Sequence, residues 1–256
     1  GLDYVYLCFD VNEETLPAAV AGLKTCGIRG FNLTMPNKNK IVELLDDLSP
    51  EAQLIGAVNT VLNDNGKLIG YNTDGYGFMQ SVRDAGHDIT GKNITVMGVG
   101  GASMAICAQS ALDGAASVHI FARRTSRYWN RTQKFAENLS AKTGCQVCLF
   151  DNDDHTALRD SIAQSYLLIN ATSVGMVPDI DDTIIKDTSL FHPELVVADV
   201  VYEPQETRLL REAKAAGCQT FNGMYMLLHQ GAKAFQIWTG QEMPVSVIKE
   251  KYFSVK

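Results

Sequence analysis

The sequence predicts an α/β protein in two lobes, a small N-terminal α/β lobe followed by a doubly wound, nucleotide-type domain. Three observations predict it. Short apolar strand segments alternate with helical periodicity along the second half of the chain. A glycine cluster, Gly98-Val99-Gly100-Gly101-Ala102-Ser103, follows one such strand and opens an alanine-rich helix. The 256 residues, 46% hydrophobic and 20% charged, are long for one core and sufficient for two, and they exclude global disorder.

Each element has a local reason. Residues 4–11 alternate apolar and polar with aromatic enrichment, a strand signal. Residues 17–23 carry apolar side chains at helical spacing and end near Gly27. Residues 28–33 read as a strand stopped by Met35-Pro36, and residues 40–48 as a helix closed by Ser49-Pro50. Strands over 56–62 and 68–71 flank Asn63-Asp64-Asn65-Gly66, whose Asn-Gly pair signals a hairpin. The rhythm then changes. Residues 93–97 form a buried strand, the glycine cluster and a helix over 104–112 follow, and a strand over 117–121 completes a βαβ unit. Further strands are expected at 147–150, 166–170, 195–201 and 219–221, with helices over 132–142, 207–216 and 226–238. The expected domains are residues 1–76 for the first lobe and 77–225 for the Rossmann-type domain, with the C-terminal helices 226–256 packing back on the first lobe.

Composition excludes several classes. Twenty-two basic against 29 acidic residues give a formal charge of −7, without the basic excess of a nucleic-acid or anionic-membrane binder. Mean hydropathy is −0.04, and no apolar run approaches a membrane span. The expectation is a cytoplasmic protein that binds no nucleic acid and no membrane. The six cysteines include one Cys-x-x-Cys, Cys145 to Cys148, with no second pair to complete a zinc site, so free thiols in a reducing compartment are expected. His87, His119, His155, His192 and His229 share no ligand spacing, and the acidic run Asp151 to His155 reads as a helix start. No metal is expected. Tyr252 and Lys256 spell a Tyr-x-x-x-Lys spacing, discounted for its distance from the glycine cluster. The chain opens directly into structured sequence and without a methionine, so an upstream segment is expected.

In a dinucleotide fingerprint one glycine makes the tight turn and a second admits backbone N–H groups to the pyrophosphate. Gly98 and Gly100 fit those roles, with Ser103 at the third position; an architectural glycine turn is the alternative. The end of the next strand reads Phe121-Ala122-Arg123-Arg124-Thr125-Ser126-Arg127, with no acid before Glu137. Guanidiniums there suit a 2′-phosphate, whereas an NAD site usually places a carboxylate. NADP is favoured, NAD remains possible, and a solvated basic turn is the alternative. In the first lobe, Asn32-Leu33-Thr34-Met35-Pro36-Asn37-Lys38, Gly56-Ala57-Val58-Asn59-Thr60 and Tyr71-Asn72-Thr73-Asp74-Gly75 place polar groups at strand ends. Lys38 and Asp74 could meet in a cleft between the lobes and hold a lysine able to exchange a proton with a hydroxyl. A surface lysine and a helix-capping aspartate are the alternatives.

Together these segments resemble the shikimate dehydrogenase family over essentially the whole chain, with the Met-Pro-Asn-Lys wording closest to its quinate/shikimate branch. Asn170-Ala171-Thr172-Ser173-Val174-Gly175-Met176, Asp199-Val200-Val201-Tyr202-Glu203-Pro204 and Met226-Leu227-Leu228-His229-Gln230-Gly231-Ala232 extend the match. The resemblance implies an oxidoreductase that uses NADP, or NAD, on a ring hydroxyl of shikimate or quinate. It implies Lys38 as acid/base with Asp74 paired to it, Thr34, Asn59 and Gln230 on ring hydroxyls, and Tyr202 on the carboxylate. It implies Gly98, Gly100, Gly101, Ala102 and Ser103 at the pyrophosphate, and Arg123, Arg124 and Arg127 at the adenosine phosphate. Asn170, Thr172, Ser173 and Gly223 would line the ribose and nicotinamide. The family's Ser-x-Ser carboxylate segment is not found in this sequence, and NAD-using relatives carry an acid where Thr125 stands. A sensing protein without turnover and a dehydrogenase of an unrelated substrate are the alternatives. Exposed strand edges in the first lobe are compatible with a homodimer.

Overall fold

The computed structural model describes residues 2–253. They divide into two units, with the boundary between Tyr71 and Asn72. In the first, α1 (Leu16–Thr25), β1 (Gly30–Asn32) and α2 (Asn37–Lys40) are followed by a 3₁₀ turn, Ile41–Leu44. Then come β2 (Asp47–Leu48), α3 (Pro50–Ile55), β3 (Thr60–Asp64) and β4 (Lys67–Tyr71). The strands form one sheet in the order β1-β3-β4-β2. The β3–β4 hairpin turns through Asn65 at φ 52° and Gly66 at φ 92°, the left-handed pair that its tight turn requires. Leu16, Val20, Ile41, Val58, Val61 and Leu68 fill the core beneath the sheet.

Three expectations for this unit change. Residues 4–11 pair with no strand among the described residues, and Val5, Tyr6, Leu7 and Phe9 are exposed. Alternation sets which faces a strand would present, but a strand exists only where a second backbone takes up its hydrogen bonds. The helix expected over 40–48 instead tightens to a 3₁₀ turn, and Asp47–Leu48 joins β4 in parallel register. Ser49-Pro50 opens a helix rather than closing one. Ser49 Oγ accepts the Ala52 N–H at 3.2 Å, and Pro50 occupies the first helical position, where no N–H is needed.

The second unit contains α4 (Asp74–Asp84), β5 (Asn93–Met97), α5 (Gly101–Leu112), β6 (Ser117–Ala122), α6 (Trp129–Thr143), β7 (Gln146–Asp151) and α7 (His155–Gln164). It continues with β8 (Leu167–Asn170), β9 (Val196–Asp199), α8 (Arg208–Ala215), β10 (Gln219–Phe221), α9 (Met224–Thr239) and α10 (Val245–Ile248). All six strands run parallel in the order β10-β9-β8-β5-β6-β7. The winding reverses between β5 and β8, and ligands in such sheets bind at the carboxyl ends of the strands beside that point. β8 and β9 are buried along their whole length, as a parallel sheet covered on both faces requires.

Helix α4 has no clear sequence signal, because two glycines interrupt it. Those glycines are its packing surface. A Cβ at Gly75 would lie 2.3 Å from the Ala105 carbonyl oxygen on α5, and one at Gly77 would lie 2.7 Å from the Gln230 nitrogen on α9. The acidic run before α7 does start a helix, since Asp154 accepts the Ala157 N–H at 2.9 Å. No helix among the described residues is long and apolar enough to cross a membrane. Lys256, the end of the Tyr-x-x-x-Lys spacing, lies outside the described residues.

Candidate functional site

The glycine turn sits at the carboxyl end of β5. Gly98 adopts φ 110°, a left-handed conformation that side chains disfavour, and its N–H donates to the Phe121 carbonyl at 2.8 Å. A Cβ there would fall 2.8 Å from Thr172 Cγ2, so the turn and the Asn170 segment are pressed together. Gly100 and Gly101 are the opposite case: a Cβ on either would meet nothing within 4 Å among the described residues. The first turn of the twelve-residue α5 therefore faces open space with its N–H groups and positive dipole end outward, a cradle suited to a pyrophosphate. Half-buried Ala102 follows on this turn. Ser103 is fully buried, and its hydroxyl donates to the Gly98 carbonyl at 2.6 Å. Its side chain braces the turn from behind.

At the end of β6 the basic run divides into separate tasks. Arg124 lies 4.7 Å over the Trp129 ring, and Arg127 lies 4.7 Å over the Tyr128 ring while donating to its hydroxyl at 2.6 Å. Stacking on an aromatic face leaves a guanidinium's edge donors able to reach an anion. The Ser126 hydroxyl accepts the Tyr128 N–H at 3.3 Å and so shapes the turn. Arg123 and Thr125 are exposed.

The ends of β8 and β9 are bound together by a buried carboxylate that sequence reasoning did not assign a role. Asn170 and Asp199 are register partners, and Asp199 is 0% exposed. Asp199 Oδ1 accepts from Asn170 Nδ2 at 3.0 Å and from the Val201 N–H at 2.9 Å, while Oδ2 accepts the Thr207 hydroxyl at 2.8 Å. Burial pushes the Asp199 carboxyl above the usual range, opposed by those three donors. Asn170 Oδ1 in turn accepts the Thr172 hydroxyl at 2.6 Å, which fixes the segment leading to exposed Ser173. Tyr202 is 43% exposed on the loop after β9. Gly223 approaches so closely that a Cβ would sit 2.1 Å from the Val200 carbonyl oxygen. Gln230, half-buried on α9, donates from Nε2 to the Leu227 carbonyl at 3.1 Å. The signal that could have revealed Asp199 is a carboxylate ending an otherwise apolar strand, which must find partners or be costly.

In the first unit, Lys38 lies half-buried on α2 immediately after the Thr34–Pro36 turn. The Asn37 N–H donates to the Thr34 carbonyl at 3.0 Å, and Thr34 itself is exposed. Val58 donates to the Lys38 carbonyl at 2.8 Å and Leu33 to the Asn59 carbonyl at 2.9 Å, so the Thr34–Lys38 turn and Asn59 are brought side by side. Asn59 is 2% exposed, and its Oδ1 accepts the Thr60 hydroxyl at 3.0 Å. Asn37 is the residue sequence reasoning passed over here. It is buried and donates to the Val11 carbonyl at 2.6 Å, and its Oδ1 has no hydrogen-bond partner among the described residues. Asp74 belongs to the second unit, buried in the first turn of α4, where its N–H donates to Asn72 Oδ1 at 3.1 Å. Among the described residues, no group of three or more His, Cys, Asp or Glu could hold a metal ion.

Residues 1–61 match the model of the shikimate dehydrogenase substrate binding domain, and residues 223–251 that of the shikimate 5′-dehydrogenase C-terminal domain. A Listeria innocua protein named shikimate dehydrogenase (NADP(+)) is 51% identical over 253 residues, 99% of this chain and 87% of the relative. The crystal structure of shikimate 5-dehydrogenase from Listeria monocytogenes, in complex with shikimate and NAD, superposes with a TM-score of 0.94 at 50% identity, covering 97% of this chain and 86% of that one. Quinate dehydrogenase from Corynebacterium glutamicum, in complex with NAD, gives a TM-score of 0.83 at 32% identity, covering 94% and 83%.

Proposed function

This chain belongs to the shikimate dehydrogenase family, and from that premise we propose how its residues divide the work. The activity is the reversible, NADP-dependent reduction of 3-dehydroshikimate to shikimate, and the observation that carries it is 51% identity over 99% of the chain. When bound, the nicotinamide cofactor supplies or accepts the hydride. The open space before Gly100 and Gly101 fits its pyrophosphate, held by the N-terminal N–H groups of α5. Arg123, Arg124 and Arg127 hold the 2′-phosphate, and Asn170, Thr172, Ser173 and Gly223 line the ribose and nicotinamide.

On the substrate side, Lys38 and Asp74 are the catalytic pair, with Lys38 exchanging the proton of the reacting hydroxyl. Thr34, Asn59 and Gln230 contact the ring hydroxyls, and Tyr202 the carboxylate. Residues 1–76 are the substrate-binding part and residues 77–225 the cofactor-binding part. Edge strand β1, paired on one side only among the described residues, supports a homodimer, and six free thiols support a cytoplasmic location.

An initial-rate grid of shikimate or quinate against NADP or NAD tests the activity. Turnover with shikimate and NADP is expected, and quinate or NAD turnover would place the chain in the dual-specificity branch. Four blank cells with NADPH still bound would refute the enzyme reading in favour of a sensor. Lys38→Ala should cut turnover by about 10² to 10⁴, the range of a lost acid/base, with NADPH affinity retained. Near-normal turnover would remove Lys38 from the role.

A further inference from the structure

We propose that Asp199 is a positioning residue that locks the Tyr202 loop and the Asn170–Ser173 segment together, so that substrate affinity and cofactor affinity depend on one buried carboxylate. The inference rests on the NADP-dependent dehydrogenase reading, because that reading puts Tyr202 on the substrate and Asn170, Thr172 and Ser173 on the cofactor.

The geometry is that of a hub. Three donors reach Asp199 from three different places: Asn170 at the end of β8, Val201 at the start of the Tyr202 loop, and Thr207 at its far end, where α8 begins. The loop between Val201 and Thr207 is thus held by its two ends while Tyr202 stands exposed between them. The surrounding bonds reinforce this frame. Val200 donates to the Asn170 carbonyl at 2.9 Å, Gly223 to the Val201 carbonyl at 3.3 Å, and Asn222 Nδ2 to the Gln205 carbonyl at 2.8 Å. Asn222 Oδ1 also accepts the Met224 N–H at 3.1 Å, which joins the loop to the start of α9. The chain of bonds passes from Asp199 through Asn170 Oδ1 to the Thr172 N–H and hydroxyl, and from the Thr172 hydroxyl to the Val174 N–H. Removing the carboxylate takes the acceptor from the Val201 N–H, the Thr207 hydroxyl and one Asn170 Nδ2 hydrogen, leaving Asn170 Nδ2 its bond to the Val174 carbonyl at 3.1 Å, and both loops lose a shared reference point. A carboxylate at 0% exposure is costly to bury, and here three hydrogen bonds to these segments offset that cost.

The test compares wild type with Asp199→Ala, Asp199→Asn and Thr207→Val. KM for shikimate and for NADP is measured by initial rates, and NADPH affinity separately by fluorescence titration. Asp199→Ala should raise both KM values by about tenfold or more, the size of a lost hydrogen bond to a charged group, with a smaller change in kcat per NADPH-binding site. Asp199→Asn should bring both back to within about threefold of wild type, since its amide oxygen can accept the two N–H groups and its NH₂ can donate to Thr207 Oγ1. Thr207→Val should raise the shikimate KM alone, because the Asn170 bond survives. A merely structural role predicts the reverse pattern for Asp199→Ala, a lower active fraction with both KM values unmoved, and that result overturns the proposal. If the wild type binds NADPH but turns over no shikimate, the activity reading falls. The NADPH affinity of Asp199→Ala then still decides the cofactor half, and an unchanged value overturns it.

Discussion

Replacing Gly75 with alanine should lower the melting temperature of the second unit. The added Cβ would lie 2.3 Å from the Ala105 carbonyl oxygen and 2.8 Å from Gln109 Cβ, where ordinary contact begins at 3.4 Å. Helices α4 and α5 would therefore have to separate by about 1.1 Å at that point. Backbone cannot rotate away as a side chain can, so the cost is that of an overpacked core, about 1 to 3 kcal/mol. At roughly 2 to 4 °C per kcal/mol for a unit of this size, Tm should fall by about 2 to 12 °C. Gly231→Ala is the matched control, since a Cβ there meets nothing within 4 Å among the described residues in the middle of α9. Relief of glycine's helix penalty should raise stability by about 0.5 to 1 kcal/mol. Differential scanning calorimetry on wild type and both variants reads the two signs together. A Gly75→Ala protein melting at or above wild type would refute the close-packing argument, as would a Gly231→Ala protein that falls alongside it.

Other expectations follow from the same geometry. Arg123→Ala should raise the KM for NADP by about 10- to 100-fold, as for a lost charge-assisted phosphate contact, and move NAD little. Equal losses for both cofactors would make the basic run purely structural. Burial pushes the Asp84 carboxyl up, but bonds from His229 at 2.9 Å and Gln80 at 3.3 Å, with Lys249 nearby, outweigh it and leave it below the usual 3.8. A depressed carboxylate contributes stability that is fully present above its unfolded value and lost as pH falls through the folded one. Wild type should thus lose more stability than Asp84→Asn as pH falls below about 4 in denaturant titrations, and parallel curves would contradict the assignment. Burial pushes the Cys107 thiol up to about 12 and Cys145 to about 11. Iodoacetamide at mildly alkaline pH should therefore modify exposed Cys8 and Cys26 first, and peptide mass spectrometry showing early Cys107 labelling would count against this packing.

The sequence by itself determined what is settled by short-range chemistry. The Asn65-Gly66 turn, the buried strand at Asn93–Met97 and the glycine turn into α5 follow from left-handed backbone needs and from a continuous apolar run, and both are local. The family could be read because its polar motifs sit at strand ends in a fixed order. Tertiary structure decided everything that needed a partner far along the chain. Residues 4–11 carry a strand's alternation yet pair with nothing among the described residues, while Asp47–Leu48 becomes a strand because β4 offers a free edge. Ser49-Pro50 could stop one helix or start another, and packing chose the start. The basic run looked like three equal clamps, but neighbouring aromatic rings gave Arg124 and Arg127 a stacking surface. Ser103 turned its hydroxyl inward to Gly98, and Asp199 acquired its three donors only when β8 and β9 aligned. Periodicity and turn chemistry act over a few residues, whereas the partner of a buried polar group is fixed only by the register of strands distant in sequence.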